Sequence, residues 1–414
     1  MAIIRTTVLG YPRIGLRREL KRAVEAYWSG TSDADALAQT AAHLRRTTWE
    51  TLRDAGLDEI PSNTFSLYDH VLDHAVLFDA IPARFADLTG LERYFAMARG
   101  TSGVAPLEMT KWFDTNYHYL VPELKPDTTF CLDRTHNKPV EEYRAAASLG
   151  ITTRPVLLGP VSFLLLSKPA ADAPKDFRTL DLLDGLLEVY RELLAELAAH
   201  GAPWVQLDEP VLAADRTPDE LNAVRMAYER LAAVPVGTER PKIVVASYFA
   251  PLDTALPVLA RTPIDGIALD LVAGARDLDR VASAGLAGKT VFAGLVDGRN
   301  VWRCALAAAL STAASLLGSV GELVVSTSCS LMHVPLDLDQ ETSLPADLRS
   351  RLAFARQKVD EVVLLGRALR EGRSAIEPEL TAASEALATP VAGAVDARVR
   401  ARLEALGEGT RRSD

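Results

Sequence analysis

Two adjacent carboxylates, Asp208 and Glu209, follow a short apolar run and precede Pro210. A pair of acidic side chains at the end of a buried strand can serve as general acid and general base. The same side chains can instead accept hydrogen bonds from backbone N–H groups and so anchor the loops at the strand end. The residue types alone leave both interpretations open.

A thiol and an imidazole, Cys329 and His333, lie close together in the chain, and both are ligand types that zinc accepts. A zinc site needs about three or four ligands, however, so this pair is incomplete. A lone cysteine on a strand is more often a small buried residue. We therefore predict no metal ion at Cys329 and His333.

Four basic residues, Arg17, Arg18, Lys21 and Arg22, are clustered near the amino terminus. Arginine can bind a carboxylate through two hydrogen bonds and lysine attracts one as a point charge, so the cluster suits a ligand with several carboxylates. The same four residues can instead form the solvated face of an amphipathic helix, which is the more common role of such a group taken by itself. Their types and spacing do not decide between these two roles.

The order of apolar and amphipathic segments predicts the fold that positions these residues. Short runs rich in Val, Ile and Leu alternate with longer amphipathic stretches, which is typical of parallel β/α units. The runs predicted to be strands are Thr6–Gly10, Thr64–Tyr68, Pro155–Leu158, Trp204–Leu207, Ile243–Ser247, Gly266–Leu271, Thr290–Leu295 and Leu323–Thr327. Polar residues follow most of them, and the carboxyl ends of the strands form the active face of a (β/α)8 barrel. We predict an α/β fold of the (β/α)8 TIM-barrel type.

An open, doubly wound sheet is the structural alternative. No Gly-x-Gly-x-x-Gly or phosphate-loop motif follows an early strand, which disfavours a nucleotide-binding sheet. The longest predicted helices are Asp33–Ala55, Leu180–His200, Pro218–Ala233 with Thr217 as its N-cap, and a single helix over Ala346–Arg370. We predict a barrel with insertions over residues 1–375, extended by helices near both ends, and a C-terminal helical extension over residues 376–414.

Composition and charge exclude several classes of protein. The 414 residues are 48% hydrophobic and 24% charged, as in a soluble globular protein. A net charge of −10 argues against a general nucleic-acid binder. Three scattered cysteines do not form a secreted disulfide framework, and the apolar runs are too short to span a bilayer. We therefore expect a cytoplasmic location and neither a nucleic-acid nor a membrane partner.

Six segments resemble the cobalamin-independent methionine synthases, in the order found in that family. They are LGYPRIGLRRELK (9–21), FSLYDHVLD (65–73), EMTKWFDTNYHY (108–119), TRPVLLGP (153–160), QLDEP (206–210) and SCSLMHVP (328–335), which together cover nearly the whole chain. Members of this family are built as two similar (β/α)8 barrels. The second carries zinc, homocysteine and the chemistry, and the first helps to hold the polyglutamylated methylfolate. The chain resembles only the first barrel.

The resemblance implies a binding site for the glutamate tail of a folate. In the family, the Arg-Glu-Leu-Lys segment at the start of the first long helix and the lysine of Met-Thr-Lys-Trp-Phe contact this tail. The matching residues here are Arg18, Glu19, Leu20, Lys21 and Lys111. The implied methyl donor is 5-methyltetrahydropteroyl-polyglutamate.

The resemblance also implies that zinc belongs to the other barrel. The family's second barrel presents a His-x-Cys pair, a Glu and a Cys at three strand ends. The matching strands here end in Ala-Ser-Tyr (246–248), Asp270 and Cys329, so the ligand set is incomplete. Because a tripeptide similar to the one that contains Asp208 and Glu209 occurs in both barrels of the family, the resemblance favours the loop-anchor role for this pair.

We therefore predict the amino-terminal, folate-binding half of a methionine synthase, which is not catalytically competent without a carboxy-terminal barrel. Its expected partners are the folate and that barrel, supplied in cis or in trans. Two alternatives remain. One is a binding or regulatory module that performs no chemistry. The other is a repurposed enzyme that uses the face formed by Asp208, Glu209, Asp270, Cys329 and His333.

Overall fold

The computed structural model describes residues 3–389 and 396–406, and an eight-stranded parallel sheet curls on itself at its centre. The strands are β1 (Ile4–Thr6), β2 (Ile60–Ser62), β3 (Thr153–Leu158), β4 (Trp204–Asp208), β5 (Lys242–Ala246), β6 (Gly266–Asp270), β7 (Thr290–Val296) and β8 (Glu322–Thr327). Neighbours in the sheet follow the order β1, β8, β7, β6, β5, β4, β3, β2. This is the strand order of a (β/α)8 fold, and the predicted fold class is confirmed.

The two edges of the sheet meet between β1 and β2. Glu59, directly before β2, donates its backbone N–H to the carbonyl of Thr6 at 3.0 Å. The carboxylate of Asp58 accepts hydrogen bonds from both the N–H and the hydroxyl of Thr6, each at 2.8 Å. Backbone and side-chain hydrogen bonds therefore join β1 and β2, the two edge strands of the sheet.

Helices follow most of the strands and cover the outside of the ring. They are α1 (Glu19–Trp28), α2 (Ala34–Asp54), α3 (His70–Leu77), α4 (Gly90–Arg99), α5 (Lys138–Ala147), α6 (Pro160–Leu166), α7 (Leu183–Ala199), α8 (Pro218–Ala232), α9 (Ala255–Arg261), α10 (Leu278–Val281), α11 (Leu306–Leu316), α12 (Ala346–Arg349), α13 (Ala355–Glu371), α14 (Glu377–Ala388) and α15 (Ala397–Glu404). The predicted helices α2, α7 and α8 are confirmed, and Thr217 forms a capping box with Glu220 at the start of α8. In the part of the chain that the structure describes, no helix has the length and apolar character needed to cross a membrane.

A second, smaller apolar cluster lies beside the barrel, and we call the elements that share it the amino-terminal lobe. Its buried residues include Leu20 and Val24 of α1 together with residues of α2, α3 and α4. A β-hairpin formed by Met109–Lys111 and His118–Leu120 contributes Leu120 to the same cluster. The lobe therefore supports both α1 and this hairpin.

A charged side chain lies inside the ring of strands. Arg154 of β3 is only 2% exposed, and its guanidinium lies over the ring of Phe292 on the non-adjacent strand β7 at 5.2 Å. Its guanidinium donates hydrogen bonds to the hydroxyl of Thr7 (3.1 Å) and the carbonyl of Val8 (3.1 Å). It also donates to Oε1 of Gln206 at 3.0 Å and to the carboxylate of Glu59 at 2.7 Å. These contacts connect β3 with β4 and with the junction between β1 and β2.

The polar contacts continue from Arg154 to the carboxyl end of β4. The amide of Gln206 donates to Oδ1 of Asp208 at 2.6 Å, and the hydroxyl of Tyr248 donates to Oδ2 at 3.0 Å. Burial raises the pKa of Asp208 to about 7, although these two hydrogen bonds oppose the shift. A series of buried hydrogen bonds thus runs from Arg154 through Gln206 to Asp208 at the carboxyl end of β4.

Two strands end earlier than predicted. The chain leaves the sheet after β1 and β2, so most of Thr6–Gly10 and all of Thr64–Tyr68 are loops. Asn63 has a φ of +59°, a left-handed conformation that ends β2, and its amide donates to the carbonyl of Val156 at 2.8 Å. Phe65 beyond this turn is still buried. An apolar pattern therefore continues past the point where the strand stops.

The single helix predicted over Ala346–Arg370 is wrong, because an extended segment separates α12 from α13. Leu352 forms an antiparallel bridge with Trp302, and Ala353 donates its N–H to the carbonyl of Val301 at 2.8 Å. This pairing with the loop after β7 uses backbone groups that a continuous helix would need. The helix is therefore interrupted by a tertiary contact.

The predicted extension over residues 376–414 is described in part. Residues 390–395 and 407–414 of it lie outside the described residues. Within the described part, α14 contributes Leu380 and Ala383 to the main apolar core. The boundary predicted at residue 375 stays a prediction.

We predict that Arg154→Met lowers the free energy of unfolding by about 3 kcal/mol or more, because it leaves Glu59 and the buried acceptors without their donor. Chemical denaturation measures this loss. Arg230→Met is the matched control, since Arg230 forms a surface ion pair with Asp184 at 2.9 Å and should cost less than about 1 kcal/mol. Equal losses in the two variants would contradict the role of Arg154 in joining the strands.

We predict a pH-dependent stability difference between the wild type and Asp208→Asn. Folded Asp208 keeps its proton up to about pH 7, whereas an unfolded aspartate releases it near about pH 4. Its contribution to stability is therefore full below about pH 4 and is lost as the pH rises through about 7. Relative to Asp208→Asn, the wild type should lose about 1 kcal/mol or more of unfolding free energy between pH 5 and pH 8. Denaturation curves that show a constant or rising difference would mean that Asp208 is ionised throughout.

Candidate functional site

The carboxylates at the end of β4 have different roles. Glu209 is fully buried and accepts hydrogen bonds from the backbone N–H groups of Val161 (3.2 Å) and Ser162 (2.6 Å). It also accepts a hydrogen bond from the hydroxyl of Tyr228 at 2.7 Å, and burial raises its pKa. Glu209 is therefore the anchor of the first turn of α6, whereas Asp208 faces the barrel mouth.

Asp270, at the end of β6, is a second loop anchor. Its carboxylate accepts hydrogen bonds from the backbone N–H groups of Phe249 (3.0 Å), Val272 (3.0 Å) and Ala273 (2.8 Å). Phe249 has a φ of +84°, so this bond helps to hold an unfavourable backbone conformation. Both oxygens of Asp270 are occupied by backbone donors, which leaves the group poorly suited to acid–base chemistry.

The thiol and imidazole that the sequence placed near each other do not form a metal site with this carboxylate. Burial, and after it the carboxylates of Asp270 and Asp297, raise the pKa of the Cys329 thiol well above its usual value. Burial lowers the pKa of His333 to about 4, and its ring packs against Phe249 at 5.5 Å. Among the described residues, no three His, Cys, Asp or Glu side chains are grouped closely enough to hold a metal ion. A carboxylate whose two oxygens are both taken by backbone donors does not fit a zinc site.

The hairpin of the amino-terminal lobe extends over the carboxyl ends of the strands. Residues 112–117, which we call the hairpin loop, connect its two strands. Trp112 donates its N–H to the carbonyl of Tyr117 at 2.8 Å, and the Trp112 side chain is 1% exposed. The hairpin loop is therefore packed against the mouth of the barrel.

Arg13 and His70 hold one side of the hairpin loop. Arg13 donates to the hydroxyl of Tyr117 at 3.3 Å, lies over the ring of Tyr117 at 5.4 Å and donates to the carbonyl of Tyr68. The ring of His70 stacks on Tyr117 at 5.7 Å and meets Trp112 edge-on at 4.4 Å. Burial lowers the pKa of His70 well below its usual value, so the ring is neutral. Cation–π and aromatic contacts fix the loop here.

A cavity of about 50 Å³ lies at the barrel mouth. Its walls include Arg13, His70, Asp208, Tyr248 and His333. A space of this size holds a few water molecules. It is too small for a folate.

A larger cleft of about 670 Å³ opens beside α1 and α2. Its walls include Glu19, residues on one face of α2, and Asp337 and Asp360 on the carboxyl-terminal side of the chain. Arg13 lines both this cleft and the small cavity. The segment predicted to bind a folate tail therefore borders the larger cleft through Glu19.

The four residues of the Arg-Glu-Leu-Lys segment differ in their environment. Arg18 directly precedes α1 with a φ of +62° and is exposed, and Lys21 is exposed and pairs with Glu25 at 3.5 Å. The carboxylate of Glu19 accepts a backbone N–H from the preceding turn at 2.9 Å. Leu20 is buried in the core of the lobe. The two cations are thus at the surface, and Leu20 packs the helix that carries them.

Lys111 is the last residue of the first hairpin strand and is exposed. It is paired with His118 across the hairpin. Since Leu120 of the hairpin and Leu20 of α1 belong to one apolar cluster, the lobe carries Lys111 together with the cations of α1. The structure therefore brings both predicted tail-binding segments onto one unit.

Sequence reasoning did not select Arg13, His70 or Arg299 as site residues, although Arg299 forms an ion pair with Asp114 of the hairpin loop at 2.8 Å. Arg13 and His70 lie inside segments that resemble the family, but no spacing rule predicts that they meet at the hairpin loop. Arg299 follows β7 within a polar run, and that run was the available signal. Contacts between distant segments decide which residues of such runs matter.

Comparison with known proteins identifies the family. A model described as the N-terminal domain of cobalamin-independent synthase matches residues 5–321. The 5-methyltetrahydropteroyltriglutamate–homocysteine methyltransferase of Streptomyces griseus is 53% identical over 98% of this chain, and that of Rhodococcus jostii is 55% identical over 97%. The matches cover 53% and 52% of those relatives, so the chain spans about half their length.

Solved structures share the fold at low sequence identity. A B12-independent methionine synthase from Shewanella sp. W3-18-1, in complex with selenomethionine, has a TM-score of 0.65 at 15% identity and covers 90% of this chain and 100% of its own. A putative vitamin-B12-independent methionine synthase from Listeria monocytogenes has a TM-score of 0.59 at 13% identity, with coverage of 89% and 98%. The family model and the relatives above 50% identity show that the chain belongs to the cobalamin-independent methionine synthase family and corresponds to its amino-terminal domain.

Proposed function

We propose that the chain is the amino-terminal, folate-polyglutamate-binding half of a cobalamin-independent methionine synthase. It binds 5-methyltetrahydropteroyl-polyglutamate, and the methyl group is transferred to homocysteine with a second barrel supplied in cis or in trans. The observation that supports this proposal is how much of each sequence the alignment covers. The chain aligns over 98% of its own length with a relative named for that substrate, yet covers 53% of the relative.

The chemistry of methyl transfer supports a division between two barrels. The N5 amine of a methylfolate is a poor leaving group, so homocysteine must react as a strong sulfur nucleophile. Zinc supplies this when it binds the thiol as a thiolate. Asp270 is saturated by backbone donors, and among the described residues no three His, Cys, Asp or Glu side chains are grouped closely enough to hold zinc. We therefore assign zinc and homocysteine to the second barrel.

Exposed cations of the amino-terminal lobe supply the proposed contacts to the glutamate tail. Arg18 stands at the start of α1, where the helix dipole also favours an anion. The ion pair of Lys21 with Glu25 is exposed and weak, so a ligand carboxylate can replace Glu25. Lys111 supplies a further cation from the hairpin. Successive glutamates then meet successive positive charges.

An independent enzyme at the barrel mouth has less support. Glu209 and Asp270 anchor loops, and Cys329 is fully buried. Asp208 faces a cavity of only about 50 Å³. The face that a repurposed enzyme would use is therefore occupied by structural contacts.

We predict that Lys111→Ala weakens binding of 5-methyltetrahydrofolate triglutamate by about fivefold and leaves the monoglutamate unchanged, because an exposed contact of this kind is worth about 1 kcal/mol. Isothermal titration calorimetry with both ligands measures this. The loss should shrink as added salt screens the charges. Lys242→Ala is the control, since Lys242 is exposed at the opposite end of the barrel, where β5 begins. Equal losses for the two ligands would argue that Lys111 has a packing role.

We predict that the purified chain alone forms no methionine from homocysteine and the triglutamate donor, even with added zinc. Transfer of a labelled methyl group measures turnover, and elemental analysis after mild chelation measures bound metal. Supplying the carboxy-terminal half of a relative, such as the Streptomyces griseus enzyme, should produce activity. Turnover by the chain alone, or one tightly held zinc ion per chain, would overturn the half-enzyme proposal.

A further inference from the structure

The tip of the hairpin loop is tied to the loop that follows β7. Nη1 of Arg299 forms an ion pair with Oδ1 of Asp114 at 2.8 Å, and Nη2 donates to the carbonyl of the same residue at 3.0 Å. Two contacts from one guanidinium constrain both the position and the orientation of the tip. The pair is partly exposed, with side-chain exposures of 34% for Arg299 and 73% for Asp114.

The side chain of Phe249 supports the ion pair between Arg299 and Asp114. The guanidinium of Arg299 lies over the ring of Phe249 at 5.2 Å, and the ring of Phe113 packs against Phe249 at 5.7 Å. Phe113 and Phe249 both have positive φ values, +53° and +84°, which are unfavourable for aromatic residues. Asp270 accepts the N–H of Phe249 at 3.0 Å and so fixes one of the two. The surrounding contacts thus enforce this geometry.

The hairpin loop transmits its position directly to Lys111. Lys111 adjoins Trp112, whose N–H donates to the carbonyl of Tyr117 at 2.8 Å and closes the loop. Arg13 and His70 hold the Tyr117 side. Contacts to Asp114 hold the other side. Both sides of the hairpin loop are thus held by contacts directly next to the strand that ends in Lys111.

We propose that Arg299 and Asp114 form a clamp that positions Lys111 for the glutamate tail of the folate. This inference rests on the proposed function, since it concerns the same binding site. Arg299 is a positioning residue in this arrangement, because its guanidinium is occupied by Asp114. A competing arrangement has Arg299 bind a tail carboxylate itself.

Asp114 separates the two arrangements by the sign of its effect. If Arg299 contacts the ligand, removing the nearby anion frees a cation and should strengthen binding of an anionic tail. If Asp114 is half of a clamp, removing it releases the hairpin loop and should weaken binding. Asp114→Ala should therefore bind the triglutamate more tightly if Arg299 contacts the ligand, and more weakly if Asp114 is part of a clamp.

The test is calorimetric titration with mono- and triglutamate forms of 5-methyltetrahydrofolate. Asp114→Ala and Arg299→Ala should each weaken triglutamate binding by about threefold, with monoglutamate binding unchanged. Arg299→Ala combined with Lys111→Ala should bind no more weakly than Lys111→Ala alone, because Arg299 acts through Lys111. Tighter binding by Asp114→Ala, or additive losses in the double variant, would overturn the clamp.

Amide hydrogen exchange on the unliganded chain gives a second readout. Asp114→Ala should speed exchange at Trp112 and Thr115, whose N–H groups are hydrogen-bonded within the hairpin loop. Arg225→Ala is the control, because it breaks an exposed ion pair with Glu229 on α8. This variant should leave amide exchange at Trp112 and Thr115 unchanged. If the wild type binds the mono- and triglutamate ligands with equal affinity, both the proposed function and the proposed role of the clamp are refuted. If wild-type affinity rises with tail length while both clamp variants bind normally, the clamp alone is refuted.

Discussion

Arg154 lies inside the ring of strands, and its guanidinium needs an acceptor for each of its donors. A buried guanidinium without them would cost several kcal/mol, roughly as much as a large part of a domain's net stability. Its acceptors lie on β4 and on both sides of the junction between β1 and β2. This requirement brings the edge strands β1 and β2 together at the point where the sheet closes. The barrel depends on that closure, and so does everything placed at its mouth.

The mouth of the barrel is built to hold loops. Gln206 carries the polar chain from Arg154 to Asp208, and the neighbouring Glu209 anchors α6. Asp270 similarly fixes Phe249 and the loop after β6. A carboxylate that accepts two or three backbone N–H groups cannot exchange them for a substrate without loss of stability. Trp112 of the hairpin loop lines the small cavity that remains.

The cations proposed to bind the glutamate tail lie outside the ring of strands, on the amino-terminal lobe. Lys21 and Lys111 are exposed, and the apolar cluster that contains Leu20 joins the elements that carry them. The lobe is tied to the barrel by the hairpin loop, through Arg13 on one side and Arg299 on the other. The barrel thus orients a charged surface of the lobe, and this arrangement supports the proposed binding of an anionic glutamate tail.

The sequence by itself determined the α/β class, six of the eight strands, and helices α2, α7 and α8 with the Thr217 cap, because periodicity and capping act over a few neighbouring residues. The resemblance also selected Arg18, Lys21 and Lys111, which the structure leaves exposed. Only the tertiary structure decided where β1 and β2 end, why the helix predicted over Ala346–Arg370 is interrupted, and which residues meet at the hairpin loop. Each of these depends on hydrogen bonds, ion pairs or ring contacts between segments far apart in the chain, and no local pattern encodes such contacts.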